Sequence, residues 1–203
     1  MSSPVQLNVS RETYERLQIY ADLLKRWNPR INLVSKASIP NLWQRHIADS
    51  IQIYKFAPHP VNHWLDLGSG GGFPGLVNAI LAIERRTPFH MTLVESDIRK
   101  SAFLRTVIRE TGAPAKVVTG RIEDLEPMNA DTISARALAD LNTLLSYAER
   151  HLSIDGVALF LKGANWEGEL QDAKTNWKFQ YQIDKSETEA GPVILSIRGV
   201  ERV

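Results

Sequence analysis

Between residues 60 and 200 the chain alternates short apolar runs with longer segments of helical spacing. The apolar runs predict strands at 63–67, 90–95, 116–119, 131–135, 157–162, 177–183 and 193–198. Apolar positions at helical period predict helices at 74–84, 97–111, 139–152 and 165–175. Val157 to Leu161 is wholly apolar, which is how a strand buried on both faces reads. Alternation of this kind implies a parallel sheet flanked by helices. The last two runs, joined through Gly191-Pro192, have no helix between them. An antiparallel end pair is therefore expected.

The first 60 residues follow a different pattern. Tyr14, Leu17, Ala21, Leu24 and Trp27 recur at helical spacing, predicting an amphipathic helix over 10–28 with Ser10 as its N-cap. Asn28-Pro29 is expected to end it, because proline disfavours helix in the residue before it. A second helix is predicted from Ser38-Ile39-Pro40, with Trp43, Ile47, Ile51 and Tyr54 as its buried stripe. Pro58-His59-Pro60 marks the expected boundary between a helical extension, 1–60, and a main domain, 61–203. The sequence contains no internal repeat and no low-complexity tract.

Composition narrows the options. At 203 residues and 43% hydrophobic, one domain with a small extension and a real core is expected. No stretch approaches the ~20 apolar residues of a membrane span. Met1-Ser2-Ser3-Pro4 lacks a basic-then-apolar export signal, so a cytoplasmic protein is expected. The chain has no cysteine, which excludes disulfides, zinc thiolates and cysteine nucleophiles. Its five histidines, His46, His59, His63, His90 and His151, show no ligand spacing, so no metal is expected. The net charge of +1 is unevenly placed: residues 1–60 hold eight basic and four acidic residues, the remainder 16 and 19. A basic front end on a mildly acidic body suits a polyanionic partner.

The densest chemistry lies in Asp66-Leu67-Gly68-Ser69-Gly70-Gly71-Gly72-Phe73-Pro74-Gly75, between a predicted strand and a predicted helix. Glycines there let the backbone turn sharply and approach a ligand. Gly70 to Gly75 matches the G-x-G-x-x-G of dinucleotide sites. Two features point elsewhere. Asp66 stands two residues before the first glycine, where its carboxylate is placed for an amine or ordered water and would repel a pyrophosphate. Pro74 removes one backbone donor from the helix start. S-adenosylmethionine, with an ammonium, a sulfonium and no phosphate, tolerates both. Gly68, Ser69, Gly70 and Phe73 are thus candidate cofactor contacts. Glu95, ending the next strand, is placed to accept the ribose hydroxyls. After the third strand, Ile122 is assigned to cover the base and Glu123 to meet the adenine amino group. Ser96-Asp97 caps the following helix.

With these residues in hand, the chain resembles the RsmG (GidB) family of bacterial small-subunit rRNA methyltransferases. Four blocks carry the resemblance: Arg26-Trp27-Asn28 with Asn32-Leu33; Arg45-His46-Ile47 with Asp49-Ser50; Asp66 to Gly75; and Ala135-Arg136-Ala137 with Leu161-Lys162-Gly163. Ala135 stands where many relatives have Ser, Val34 interrupts the usual Asn-Leu-Thr/Ser run, and the N-terminal extension is short. The resemblance implies a Rossmann-like, class I S-adenosylmethionine-dependent methyltransferase. Its fold would be a seven-stranded, mostly parallel sheet with an antiparallel end strand. It also implies methyl transfer to N7 of one guanine in the decoding-region loop of 16S rRNA, guanine 527. Family cofactor contacts map onto Gly68, Phe73, Ile122, Glu123 and Arg136.

The residue set suits that reaction. Methylation at pyrimidine C5 ordinarily needs a cysteine, and none is present. Exocyclic amine methylation commonly uses an Asn/Asp-Pro-Pro-aromatic turn, whereas Ser134-Ala135-Arg136-Ala137-Leu138 stands there. Guanine N7 has an exposed lone pair and no proton, so it needs in-line approach and exclusion of water. Arg136 and Lys162, at predicted strand ends, are the candidate catalytic pair. Facing a sulfonium unpaired at 4 Å, each would be repelled by about 4 kcal/mol at an effective dielectric of 20. They are therefore expected to grip a phosphate or guanine O6, with Arg136 also reaching the methionine carboxylate. The structural alternative for Lys162 is an ion pair with Glu167.

Lys25, Arg26, Asn28, Arg30 and Arg45 are expected to join Arg136 and Lys162 in contacting RNA, with 16S rRNA or the small subunit as partner and the protein a monomer. The alternatives there are local: Arg45 pairing with Asp49, Trp27 and Trp43 in the core, and Asn28, Asn32 and His46 bonding nearby backbone. Three other functions remain on the residues alone. They are a small-molecule or protein methyltransferase, a non-catalytic RNA-binding or ribosome-assembly factor and, more distantly, a nicotinamide dehydrogenase.

Overall fold

The computed structural model describes residues 7–188 and 190–203; Met1 to Pro4, read above for an export signal, lies outside the described residues. The first helix, α1 (Arg11–Ile31), begins at Ser10, whose hydroxyl accepts from the Thr13 amide at 3.2 Å. It does not end at Pro29, as the sequence suggested, but runs to Ile31. Proline this late withdraws only one intrahelical donor. Asn32, in the left-handed region at φ 48°, then closes the helix by donating to Asn28 O at 3.0 Å.

The expected second helix is irregular: a 3-10 segment (Lys36–Asn41), a wide π turn (Trp43–Ala48), a short α2 (Asp49–Gln52) and a second 3-10 turn (Ile53–Phe56). Ser50 bonds back to His46 O at 2.6 Å, a contact that competes with regular helix geometry. The predicted stripe still faces inward, with Ile47 and Tyr54 buried and Trp43 and Ile51 half-buried against the same core.

Seven strands make one sheet: β1 (His63–Leu67), β2 (His90–Glu95), β3 (Ala115–Thr119), β4 (Ala130–Arg136), β5 (Leu152–Lys162), β6 (Trp177–Lys185) and β7 (Val193–Arg202). Their order is β3-β2-β1-β4-β5-β7-β6. The first five are mutually parallel, and β7 runs antiparallel to both β5 and β6, wedged between them. This is the fold of class I S-adenosylmethionine-dependent methyltransferases, as expected. β5 starts five residues earlier than predicted. Leu152 pairs with Ala130 before the register shifts to Thr132 and Val157. The run between them contains Ser153, Asp155 and Gly156, which hides the strand from a hydrophobic count.

Helices α3 (Gly75–Arg85), α4 (Ile98–Thr111), α5 (Leu141–His151) and α6 (Trp166–Ala173) connect the strands. Successive strand residues point to opposite faces, so Trp64 and Leu65 belong to different cores. Trp64 packs with Leu17, Tyr20 and Leu24 of α1, Val77 and Ile80 of α3 and Phe103 and Leu104 of α4. Leu65 packs with Leu144, Leu145, Phe160 and Leu170 on the α5–α6 side. The N-terminal helix thus contributes to one of the sheet's own cores. Because β1, β2, β4 and β5 run parallel, their C-terminal ends, Leu67, Glu95, Arg136 and Lys162, share one edge. The strand order reverses between β1 and β4, where ligands of open α/β sheets bind.

Candidate cofactor and acceptor site

The turn after β1 is built for close approach. Gly68, Gly70 and Gly72 have φ of 60°, 54° and 96°, a region side chains disfavour. A Cβ on Gly68 would stand 2.4 Å from Leu138 Cδ1, and one on Gly75 2.5 Å from Asp66 Cβ. The corner is therefore packed as tightly as glycine allows, and Pro74 serves as the N-cap position of α3.

Asp66 does not face the ligand side, which corrects the sequence reading. It is fully buried. Its Oδ1 accepts from Ser134 Oγ at 2.6 Å, and Ser134 in turn accepts from Trp64 Nε1 at 2.9 Å. Asp66 and Ser134 lie side by side across β1 and β4. Burial raises the Asp66 carboxyl to about 6, opposed by the Ser134 hydroxyl.

Above this corner lies a cavity of about 880 Å³. Gly68, Ser69, Gly70, Phe73, Glu95, Ile122, Glu123, Arg136 and Lys162 all line it, so the expected cofactor residues are brought together. Glu95 accepts from the Gly70 amide and the Asp97 amide, each at 2.8 Å; each oxygen retains a second lone pair. Ile122 is buried and offers an apolar surface. Glu123 is exposed at the rim and pairs with Arg121 at 2.8 Å. Its own backbone amide and Arg121 hold its carboxyl below the usual range. The Asp97 side chain caps α4, accepting from the Arg99 and Lys100 amides.

At the other end, Phe73 is surrounded by three groups from distant segments. His46 stacks on it at 5.0 Å, Tyr20 tilts against it at 5.2 Å, and the Arg136 guanidinium lies 4.9 Å from its centroid. Burial, then the charges of Arg136 and Arg45, push His46 down to about 3, so its ring is neutral. Neither ring nitrogen has a hydrogen-bond partner among the described residues.

Both candidate cations are held by carboxylates. Arg136 Nη1 reaches Asp49 Oδ2 and Arg45 O, each at 3.3 Å. Burial lowers the Arg136 pKa and Asp49 opposes that effect. Lys162 Nζ pairs with Glu169 at 2.6 Å, not with Glu167, and donates to Ala139 O at 3.0 Å. Glu169 fits because its Oε2 also takes the Leu141 amide at 2.8 Å, which fixes it beside the end of β5.

The N-terminal candidates divide. Arg26, Arg30 and Arg45 are exposed, and Arg45 lines the cavity mouth. Lys25 is exposed too, 3.8 Å from Asp22. Asn28 is corrected: it is buried, and its Oδ1 accepts from the Val34 amide at 2.9 Å, so it holds the loop after α1 and does not face outward. Asp49 Oδ2 pairs with Arg136 Nη1 at 3.3 Å. Tyr20, Asp49 and Leu138 carry no local signal of their site roles, since each acts through a contact formed only on folding. Among the described residues no group of three or more His, Cys, Asp or Glu is placed to hold a metal ion, and no helix is long and apolar enough to cross a membrane.

Comparison with known proteins agrees with this geometry. Residues 13–193 match the family described as GidB, rRNA small subunit methyltransferase G. A ribosomal RNA small subunit methyltransferase G from Ruegeria pomeroyi is 59% identical over 197 residues, covering 97% of this chain and 96% of that protein. Among solved structures, a TehB-like SAM-dependent methyltransferase from Corynebacterium glutamicum superposes with a TM-score of 0.58 at 15% identity. That match covers 92% of this chain and 100% of the other. TYW2 of M. jannaschii, solved in complex with AdoMet, gives a TM-score of 0.55 at 15% identity, covering 78% and 76%.

Proposed function

The chain belongs to the rRNA small subunit methyltransferase G family, and from that premise we propose that it methylates N7 of a guanine in the decoding-region loop of 16S rRNA, guanine 527 by family resemblance. S-adenosylmethionine is the donor, and the enzyme works as a cytoplasmic monomer. The observation that carries this reading is the cysteine-free cavity in which the glycine turn, Glu95 and two carboxylate-held cations meet.

The residues fit the cofactor. A Cβ at Gly68 would strike Leu138, and Gly68 and Gly70 both hold positive φ that side chains disfavour, so the backbone is left bare there. Glu95 has acceptor capacity for ribose hydroxyls, Ile122 an apolar surface for the base, and Glu123 a carboxylate at its edge. When bound, S-adenosylmethionine supplies an electrophilic methyl group, which the N7 lone pair takes without a general base. The protein's part is therefore binding, orientation and exclusion of water. Asp49 and Glu169 offset the repulsion that Arg136 and Lys162 would otherwise exert on a cationic donor. Both cations can then hold a phosphate or guanine O6. Arg26, Arg30, Arg45 and Lys25 form the RNA-facing side of the N-terminal extension.

The test is to supply labelled S-adenosylmethionine to small subunits from cells lacking the enzyme and map the product by N7-specific chain cleavage. Cleavage at one guanine is expected; no label in either assembled or protein-free RNA defeats the reading. A non-catalytic assembly role predicts that Arg136→Ala or Lys162→Ala leaves assembly intact and no methyl transfer to lose. A small-molecule methyltransferase predicts turnover without RNA.

A further inference from the structure

Asp49 sits at the cavity wall with its two oxygens divided between two tasks. Oδ1 accepts three hydrogen bonds, from Gln52 Nε2 at 2.7 Å, Thr188 Oγ1 at 3.0 Å and Ser186 Oγ at 3.3 Å. Gln52 is one turn along α2, while Ser186 and Thr188 belong to the connection between β6 and β7. That connection is itself fastened, since Gln52 Oε1 accepts from the Glu187 amide at 2.9 Å and Gln52 Nε2 donates to Ser186 Oγ at 3.1 Å. Oδ2 is left for Arg136. One carboxylate oxygen is thus immobilised by a neighbour on its own helix and by a connection remote in the chain, and the other is aimed at a guanidinium.

Arg136 is under-used in this arrangement. Its two hydrogen bonds, both 3.3 Å long, leave from Nη1. Nε and Nη2 bond nothing among the described residues, although the side chain is only 16% exposed. A guanidinium presents its Nε and Nη2 hydrogens as a fork that matches a carboxylate in bidentate fashion. The adenosine end of the cavity is already supplied with Glu95, Ile122 and Glu123. The Phe73 end, where Arg136 lies, is the end that must take the amino-acid part of the donor.

We propose that Asp49 is a positioning residue that holds Arg136 by Nη1 and turns its Nε and Nη2 edge toward the methionyl carboxylate of the cofactor. The proposal rests on the cofactor reading above. It assigns Asp49 to setting the geometry of another residue, and it assigns Ser186 and Thr188 to keeping Asp49 rigid.

The test compares two ligands on the full chain by calorimetry. S-adenosylhomocysteine carries the carboxylate, while 5′-methylthioadenosine has the same nucleoside thioether without the amino acid. The wild type should prefer S-adenosylhomocysteine. Asp49→Asn should cut that preference about tenfold, the scale of one charge-assisted hydrogen bond, with methylthioadenosine affinity unchanged. Asp49→Glu should recover part of it. Ser186→Ala with Thr188→Ala should lower the preference in the same direction by less, and this pair carries the test should Asp49→Asn not fold. In turnover, the KM for the donor should rise by a larger factor than kcat falls. A wild-type preference retained in Asp49→Asn, or an equal loss for both ligands, overturns the proposal whatever happens to stability. Failure of the wild type to bind either ligand would instead defeat the cofactor reading.

Discussion

The Tyr20 hydroxyl, on the N-terminal helix, donates to the carbonyl of Gly71 in the middle of the glycine turn at 2.5 Å. Tyr20 is fully buried, and burial holds its phenol well above the usual value. It is therefore a permanent donor at any working pH. The N-terminal helix thereby grips the glycine turn proposed to seat the cofactor.

Tyr20→Phe keeps the ring contacts with Phe73 and Phe103 and leaves the Gly71 carbonyl without this donor. Stability should fall by about 1–2 kcal/mol, read by urea unfolding. Donor affinity should fall as well, because the turn loses its tether. Unchanged affinity would show that the turn holds its shape alone.

Gly75→Ala and Gly163→Ala should separate two kinds of glycine in the motif blocks. At Gly75 a Cβ meets Asp66 Cβ at 2.5 Å, whereas at Gly163 it meets nothing within 4 Å. The first should cost about 1–3 kcal/mol through overpacking. The second should stay within about 0.5 kcal/mol. Thermal unfolding of both variants checks this, and equal effects would contradict the packing.

Asp66 should give the protein a measurable pH signature. Its carboxyl is raised to about 6 in the fold, above its value in an unfolded chain, so the folded state favours the protonated form. The contribution to stability is complete below about pH 4 and lost as pH rises through about 6. Asp66→Asn, which cannot ionise, escapes that loss. The stability difference should shift toward the Asn variant by about 2 kcal/mol between pH 4 and 7. Urea unfolding across that range tests it, and a pH-independent difference would contradict a raised value.

Exposed Arg26 and Arg30 should contribute to RNA affinity chiefly through phosphates. Each Ala substitution should reduce the slope of log affinity against log salt by about 0.7–0.9, with donor affinity unchanged. Slopes equal to the wild type would remove these residues from the RNA face.

Most of the sheet was readable because strands buried on both faces leave continuous apolar runs, as Val157 to Leu161 does. The start of β5 was not, because Ile154 is 95% exposed and its neighbours are polar. The glycine turn was readable because its chemistry is local: spacing, an acid and a proline within ten residues. Arg136 and Lys162 were readable as cations at strand ends. Their partners were not, since Asp49 and Glu169 reach them only through tertiary packing. Asn28 misled because a polar residue in a basic helix reads as surface, while here its amide oxygen is needed by the Val34 backbone. Asp66 misled similarly: an acid before glycines looks aimed at the ligand until Ser134 is brought beside it by β4.

The division of Asp49 between early and late parts of the chain orders events during translation. The glycine turn, Glu95 and both cations precede Ser186 and Thr188 in the chain and are therefore synthesised first. Until then Asp49 and Arg136 are both present, but Asp49 Oδ1 lacks its Ser186 and Thr188 donors. On the proposal above, only the closing hairpin completes the grip, so a polypeptide cut before it should hold the donor less tightly.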